Sequence, residues 1–415
     1  MKEDILKENR TVLMLGIGGV SMHQLALCYL KDGYKVMGYD RTKNEYTVDC
    51  EKHGIVVFDK FNKIGLNVDF CVKTAAVKDD NKFVVELKKR GIKIVDRAEA
   101  LGYFAVKFKC VVAVAGTHGK STTSALIYEM LRQANMSVSC HIGADVFAPR
   151  FNTDDDVLVV EACEYNKSFL SLYPTISVVT NVEPEHLDCY GSFYALKTAF
   201  ATFLRRGKKR FVFKGKTTEF LRKINDVNFV EKKQNMQTKL LGEYNQKNIA
   251  LASAVARSFG VSEQVIERVV KNFSGLPRRY EYIGDFNRTK CYIDYAHHPT
   301  EVGEFVTTFL EQNKGALIVF QPHTFSRTKN LLPEFLSVLR AVKDICIFKE
   351  YSAREEKSSG MSAYELYLKV KEINKNVRYC ATTKNVIKQM AGYRAVAFVG
   401  AGNINLVAKN IVKTN

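Results

Sequence analysis

The run Gly116-Thr117-His118-Gly119-Lys120-Ser121-Thr122 joins an apolar stretch, 110–115, to a stretch where Leu126, Ile127, Met130 and Leu131 recur at helical spacing. A glycine turn between a buried strand and a helix points backbone N–H groups and a helix N-terminus at phosphate oxygens. In that setting Lys120 reaches the β- and γ-phosphates and Ser121 meets a magnesium ion. The first glycine of the usual G-x-x-x-x-G-K-[ST] pattern is replaced by Val114. The strand–turn–helix context still makes ATP binding the expectation, against the bland reading of a glycine turn that happens to precede a helix.

A second turn, Gly16-Ile17-Gly18-Gly19-Val20-Ser21, follows the apolar run 11–15, and Asp40 closes the next strand. This imitates a dinucleotide fingerprint, but its last position is serine rather than glycine or alanine. A dehydrogenase would also have no use for the second nucleotide loop. A nucleotide or pyrophosphate is expected here, and NAD is not. Glu161 and Glu164 lie at the end of the run 157–160, and Glu183 and His186 lie beyond the run 176–180. The carboxyl ends of an open parallel sheet form its ligand crevice, and magnesium takes few protein carboxylates beside phosphate oxygens. Arg278-Arg279, Asp294-Tyr295-Ala296-His297-His298-Pro299-Thr300-Glu301 and Gln321-Pro322-His323 with Ser326-Arg327 complete the polar clusters. Arginine forks suit carboxylates and phosphates. Each of these residues alone also reads as a cap or an ion pair.

The elements that must position these groups alternate short β-branched runs with amphipathic stretches, the pattern of parallel α/β layers. Three blocks separate: 1–108, 109–276 and 277–415. Strands are expected over 11–15, 35–39, 68–73 and 92–95 in the first, over 110–115, 157–160 and 176–180 in the second, and over 291–293, 316–320, 345–348 and 395–399 in the third. Helices over 245–259 and 262–273 close the second block, and the glycine and proline of 273–277 read as a hinge.

Bulk composition agrees. Of 415 residues, 46% are hydrophobic and 26% charged, enough apolar material for several cores. The net charge of +18 is spread along the chain, and clusters such as Arg205-Arg206-Gly207-Lys208-Lys209-Arg210 are short. They lack the interleaved aromatics of a single-strand platform, so a basic surface serving small anions is expected and a nucleic-acid partner is not. Ten cysteines without a C-x-x-C pair, an acidic start and no apolar run approaching ~20 residues point to a cytoplasmic protein that does not insert in a membrane.

In this order the motifs resemble the Mur ligase family, over essentially the whole chain. Gly16 to Ser21, Ala115 to Ser121, Glu161-Ala162-Cys163-Glu164, Thr180 to His186, Asp294 to Glu301 and Gln321 to Arg327 carry the likeness. The His118 of the glycine turn and the His297-His298-Pro299-Thr300-Glu301 run are similar to members that add L-alanine rather than later residues of the peptide. The resemblance implies three domains: a Rossmann-like UDP-binding domain, a central P-loop ATPase-type parallel sheet and a C-terminal Rossmann-like domain. It implies an ATP- and Mg2+-dependent ligase joining L-alanine to the carboxylate of UDP-N-acetylmuramic acid through an acyl phosphate, as a monomer or homodimer. By the same resemblance, Gly116, Thr117, His118, Gly119, Lys120, Ser121 and Thr122 hold ATP, with Asn245 and Asn248 at the adenine and Arg279 and Asp294 facing the nucleotide. Ser121, Glu161 and His186 ligate the metal; Lys120, Glu161, His186 and His297 serve catalysis. His297 and Arg327 hold the amino acid, and Gly16, Gly18, Gly19, Ser21, Asp40, Thr74 and Ala75 hold the UDP-sugar. Cys163 to Asn166 depart from the family's Asp-Glu-Ser-Asp, Tyr244 from its histidine and Thr324 from its arginine. The rival readings are a sister ligase adding a tripeptide to the same sugar, a P-loop kinase or ATPase, and a non-catalytic ATP-gated scaffold.

Overall fold

The structure is a computed structural model that describes residues 10–60, 67–143, 152–232, 236–353, 355–357 and 360–414. The chain divides into two compact units, Met1–Thr238 with Asn245–Phe273, and Lys239–Tyr244 with Ser274–Asn415.

The first unit contains two parallel sheets. One comprises β1 (Thr11–Leu15), β2 (Lys35–Tyr39), β3 (Val56–Phe58), β4 (Phe70–Lys73) and β5 (Lys93–Asp96), in the order β3-β2-β1-β4-β5. The strand order reverses beside β1, so the turn after β1 opens onto a crevice at the sheet's carboxyl edge. The other sheet comprises β6 (Cys110–Ala115), β7 (Val138–His141), β8 (Val157–Glu161), β9 (Ile176–Val179), β10 (Lys209–Phe213) and β11 (Val227–Val230), in the order β11-β10-β9-β6-β8-β7. Here β6 is central, and its order reversal exposes the second glycine turn in the same way. The central strands are apolar throughout because helices cover both faces: Val12 to Leu15 and Val111 to Ala115 are buried.

Helix Val20–Lys31 buries Met22, Leu25, Ala26 and Tyr29, and Gly33 at φ +81° turns the chain into β2. The Tyr29 ring meets those of Tyr34 and Phe104 edge-on at 4.9 and 4.6 Å. The two sheets share one core, which runs from Tyr29 and Phe104 to Phe169 and Phe200. Their junction is close enough that a Cβ on Gly102 would sit 2.4 Å from Ser171 O.

The second unit holds one six-stranded sheet of β12 (Glu281–Phe286), β13 (Thr289–Asp294), β14 (Leu317–Phe320), β15 (Ile345–Phe348), β16 (Arg378–Cys380) and β17 (Ala395–Val399). Its order is β12-β13-β17-β14-β15-β16, parallel except for the antiparallel hairpin of β12 with β13. The hairpin adds one antiparallel edge strand to the otherwise parallel α/β sheet.

Candidate functional site

In the first unit, β6 delivers the chain into the nucleotide turn at Gly116 (φ +149°) and Gly119 (φ +79°), and helix Lys120–Gln133 leads away from it. The turn is held from β9: His118 N donates to Asn181 Oδ1 at 2.9 Å, while Thr180 Oγ1 and Asn181 Nδ2 donate to His118 O. Thr117 Oγ1 accepts from Glu183 N at 2.8 Å. Room for the turn is bounded by helix Glu243–Arg257, since a Cβ on Gly119 would lie 2.4 Å from Asn248 Oδ1. Asn248 donates to Asn245 at 3.4 Å, and both are buried.

Lys120 Nζ donates to Gly116 O at 2.6 Å and Thr117 O at 3.1 Å, and pairs with Glu164 Oε2 at 3.0 Å. Burial alone would depress its pKa, but the carboxylates of Glu164 and Glu161 outweigh that and raise it, so the ammonium stays charged. Ser121 Oγ donates to Glu161 Oε2 at 2.8 Å, an oxygen that also accepts from Gly143 N at 2.9 Å. This pair of hard oxygens beside a phosphate-binding turn suits magnesium. His186, at φ +54°, has Nε2 3.8 Å from Glu164 Oε1 and its ring 5.0 Å from that of Tyr165. Lys120, Ser121, Glu161 and Glu164 therefore form one cluster with His186 at its Glu164 side. Glu164, 2% exposed, which the sequence offers beside Glu161 as a metal ligand, is the carboxylate paired with Lys120.

The first glycine turn lies in the same unit. Gly16 N donates to Tyr39 O at 2.8 Å with φ +85°, and Gly18 N donates to Asp40 Oδ2 at 2.9 Å. Asp40 Oδ1 also accepts from Thr42 N, so the acid is built into the turn. Gly19 caps the helix that carries Ser21. Thr74 abuts Gly16, and Ala75 is exposed in a turn closed by Val77 N to Thr74 O at 2.9 Å.

In the second unit the predicted residues gather at the carboxyl ends of β13 and β14. Asp294, 4% exposed, accepts from Tyr280 N at 2.8 Å and Ala296 N at 2.7 Å. Burial lifts its pKa to about 6, against the lowering effect of Arg279 and the two amides. Arg279 lies 3.6 Å from Glu301 and over the Tyr295 ring. His297 Nδ1 is 3.0 Å from Tyr295 O and 3.4 Å from Glu301. His323 joins His297 and Arg327, its ring 5.8 Å from that of His297 and its Nδ1 3.0 Å from Arg327 Nη1. Tyr351, which sequence reasoning missed, stacks on His323 at 5.6 Å. It comes from the loop after β15, far from these motifs in sequence, and only the parallel pairing of β14 with β15 brings it there.

Comparison with known proteins matches residues 11–109 to the Mur ligase family catalytic domain, 114–226 to the Mur ligase middle domain and 278–402 to the Mur ligase glutamate ligase domain. The chain is 33% identical to the UDP-N-acetylmuramate–L-alanine ligase of Caldicellulosiruptor bescii over 96% of its length and 97% of the relative's. It is 31% identical to the enzyme of the same name from Buchnera aphidicola, over 98% and 95% of the two chains. Its fold is similar to the crystal structure of a UDP-N-acetylmuramate-alanine ligase from Thermotoga maritima, with a TM-score of 0.81, 22% identity and 97% and 98% of the chains covered.

Proposed function

The chain belongs to the Mur ligase family, and from that membership we propose that it joins L-alanine to the lactyl carboxylate of UDP-N-acetylmuramic acid at the expense of ATP. The observation that carries this reading is the cluster of Lys120, Ser121, Glu161 and Glu164 at the nucleotide turn.

A carboxylate is too poor an electrophile for an amine. The carboxylate oxygen therefore takes the γ-phosphoryl group of ATP, ADP leaves, and the resulting acyl phosphate has a good leaving group. The alanine nitrogen attacks the acyl carbon, a tetrahedral intermediate collapses, and inorganic phosphate departs. Phosphoryl transfer asks little covalent chemistry of the protein and much positioning and charge neutralisation.

Gly116, Thr117, His118, Gly119 and Thr122 bind the ATP phosphates, although the Thr117 and His118 amides themselves donate to Asn181. Lys120 exchanges its contacts with Glu164 and the turn carbonyls for phosphate oxygens as ATP binds. Ser121 and Glu161, with His186, would hold Mg2+, which would supply charge neutralisation for the transferring phosphoryl group. Asn245 and Asn248 face adenine; Arg279 and Asp294 face the nucleotide. Arg327, steadied by His323, takes the alanine carboxylate, and His297 orients the amino acid. Gly16, Gly18, Gly19, Ser21, Asp40, Thr74 and Ala75 hold the UDP-sugar. Residues 1–108, 109–276 and 277–415 are the sugar-nucleotide, ATP and amino-acid domains of this scheme.

Purified protein given ATP, Mg2+ and UDP-N-acetylmuramic acid should release phosphate only when L-alanine is added. Release with tripeptide but not alanine would move the assignment to the sister ligase, and release with ATP alone would leave only an ATPase.

A further inference from the structure

Two residues of the first unit, Arg97 and His141, meet Ser21 of the scheme above but have no part in it themselves. Arg97 follows β5 directly and opens helix Arg97–Ala105, at the carboxyl edge of the first sheet. Its Nη1 donates to Ser21 Oγ at 2.8 Å, and Ser21 Oγ stands 2.7 Å from Nε2 of His141, the last residue of β7. A guanidinium only donates, so Ser21 accepts from Arg97 and gives its own proton to His141 Nε2, which places the ring proton on Nδ1. His141 is 3% exposed; burial, reinforced by the charge of Arg97, pushes its pKa down to about 3. The ring is neutral at any working pH. The three side chains form a directed chain whose formal charge sits at Arg97.

Among the described residues no carboxylate lies within ion-pair distance of Arg97. One of its five N–H groups is used on Ser21, and the rest of the fork is left for a ligand. The neighbouring groups decide which ligand. Ser21 belongs to the turn in which Asp40 is locked by Gly18 N and Thr42 N, so a negative charge already stands where a nucleotide's phosphates would rest. An anion there needs a compensating cation. Lys73, at the end of β4, is engaged with Asp96 at 2.8 Å and Asp79 at 3.6 Å. Arg97 carries its charge into the turn through Ser21, and a planar fork suits phosphate oxygens bidentately.

We propose that Arg97 binds the diphosphate of the sugar nucleotide, with Ser21 and His141 as the positioning residues that hold its fork. This rests on the ligase reading for the identity of the sugar nucleotide, though not for the chemistry of the diphosphate.

The test is calorimetric titration of the full chain and of Arg97→Lys and Arg97→Met with two ligands. UDP carries the diphosphate alone, and UDP-N-acetylmuramic acid adds the lactyl carboxylate. Arg97→Met should weaken both by the same factor, more than tenfold, with the KM for ATP unchanged. Arg97→Lys, which keeps the charge and loses the fork, should recover only part of the loss. The 31P shifts of bound UDP should differ between wild type and Arg97→Lys, which reads the contact directly in a variant whose thermal midpoint verifies folding. Unchanged UDP affinity with weakened UDP-N-acetylmuramic acid would place Arg97 on the carboxylate and overturn the proposal, as would two unchanged affinities. A wild type that binds UDP but not the muramic acid derivative would instead defeat the ligase reading, and the UDP arm would still judge Arg97.

Discussion

Lys120 and Glu164 show how a buried cation, here the one proposed to meet the phosphates, is held in a protein that must also be stable. The carboxylate of Glu164 is 2% exposed and 3.0 Å from the Lys120 ammonium, so removing the lysine does two separable things. Lys120→Met should lower turnover by at least ~10²–10³-fold, the cost of one electrostatic donor to a developing charge. It should also destabilise the fold by ~3–5 kcal/mol, because a buried charge loses its partner. In Lys120→Met/Glu164→Gln, denaturant melts should recover most of the stability while phosphate release stays at the single-variant level. Recovery of turnover in the double variant would show that Lys120 does not serve the phosphates. Asp294 gives a second test at this scale. Its folded pKa of about 6 exceeds the ordinary 3.8, so the folded state holds the proton more tightly than the unfolded one. The stability this contributes is complete below pH ~4 and is lost as pH rises through about 6. The stability difference between wild type and Asp294→Asn should therefore favour wild type by about 1 kcal/mol more at pH 5 than at pH 7, read from paired urea titrations. No change between the two pH values would mean that the carboxyl titrates normally.

At the scale of elements, two glycines of nearly equal φ carry opposite lessons about backbone freedom. Gly119 and Gly33 have nearly equal φ, +79° and +81°, but a Cβ on Gly119 would meet Asn248 Oδ1 at 2.4 Å while one on Gly33 meets nothing within 4 Å. Both alanine variants pay the left-handed cost of ~1–2 kcal/mol. Only Gly119→Ala should also raise the KM for ATP, by about an order of magnitude, since helix Glu243–Arg257 must shift or the loop amides must turn. Equal KM values in the two variants would remove the turn from the nucleotide site. These turns were legible in sequence because a strand, glycines and a helical pattern lie in one continuous stretch. The central strands β1, β6, β15 and β17 fall within the expected runs for the same reason: burial on both faces writes an unbroken apolar word. Edge strands β11 and β12 are only partly buried and leave no such word. In β7, fully buried Ser139 and His141 interrupt it. The partners of the site were illegible on different grounds. His141 and Tyr351 reach Ser21 and His323 only through sheet order, and no local pattern encodes which strand lies beside which.

For the whole molecule, the sequence places a hinge at 273–277, and one crossing between the compact units, Phe273/Ser274, falls in that segment. The chain passes between the compact units at Thr238/Lys239, Tyr244/Asn245 and Phe273/Ser274. Helix Glu243–Arg257 starts in one unit and continues in the other, so Tyr244 and Asn245, adjacent in sequence, belong to different bodies. An acyl phosphate exposed to water would hydrolyse, so the proposed reaction requires water to be kept out while the intermediate lasts. Binding energy is therefore expected to be spent on bringing the units together. Small-angle scattering should show the radius of gyration falling when a non-hydrolysable ATP analogue and UDP-N-acetylmuramic acid are both present, with little change for either alone. Lengthening the 273–277 segment by two glycines should leave that contraction largely in place, because the crossings around 239–244 still guide it. If the insertion abolishes the contraction, the single-hinge picture is restored; if the ligands never contract the wild type, closure is not how water is kept out.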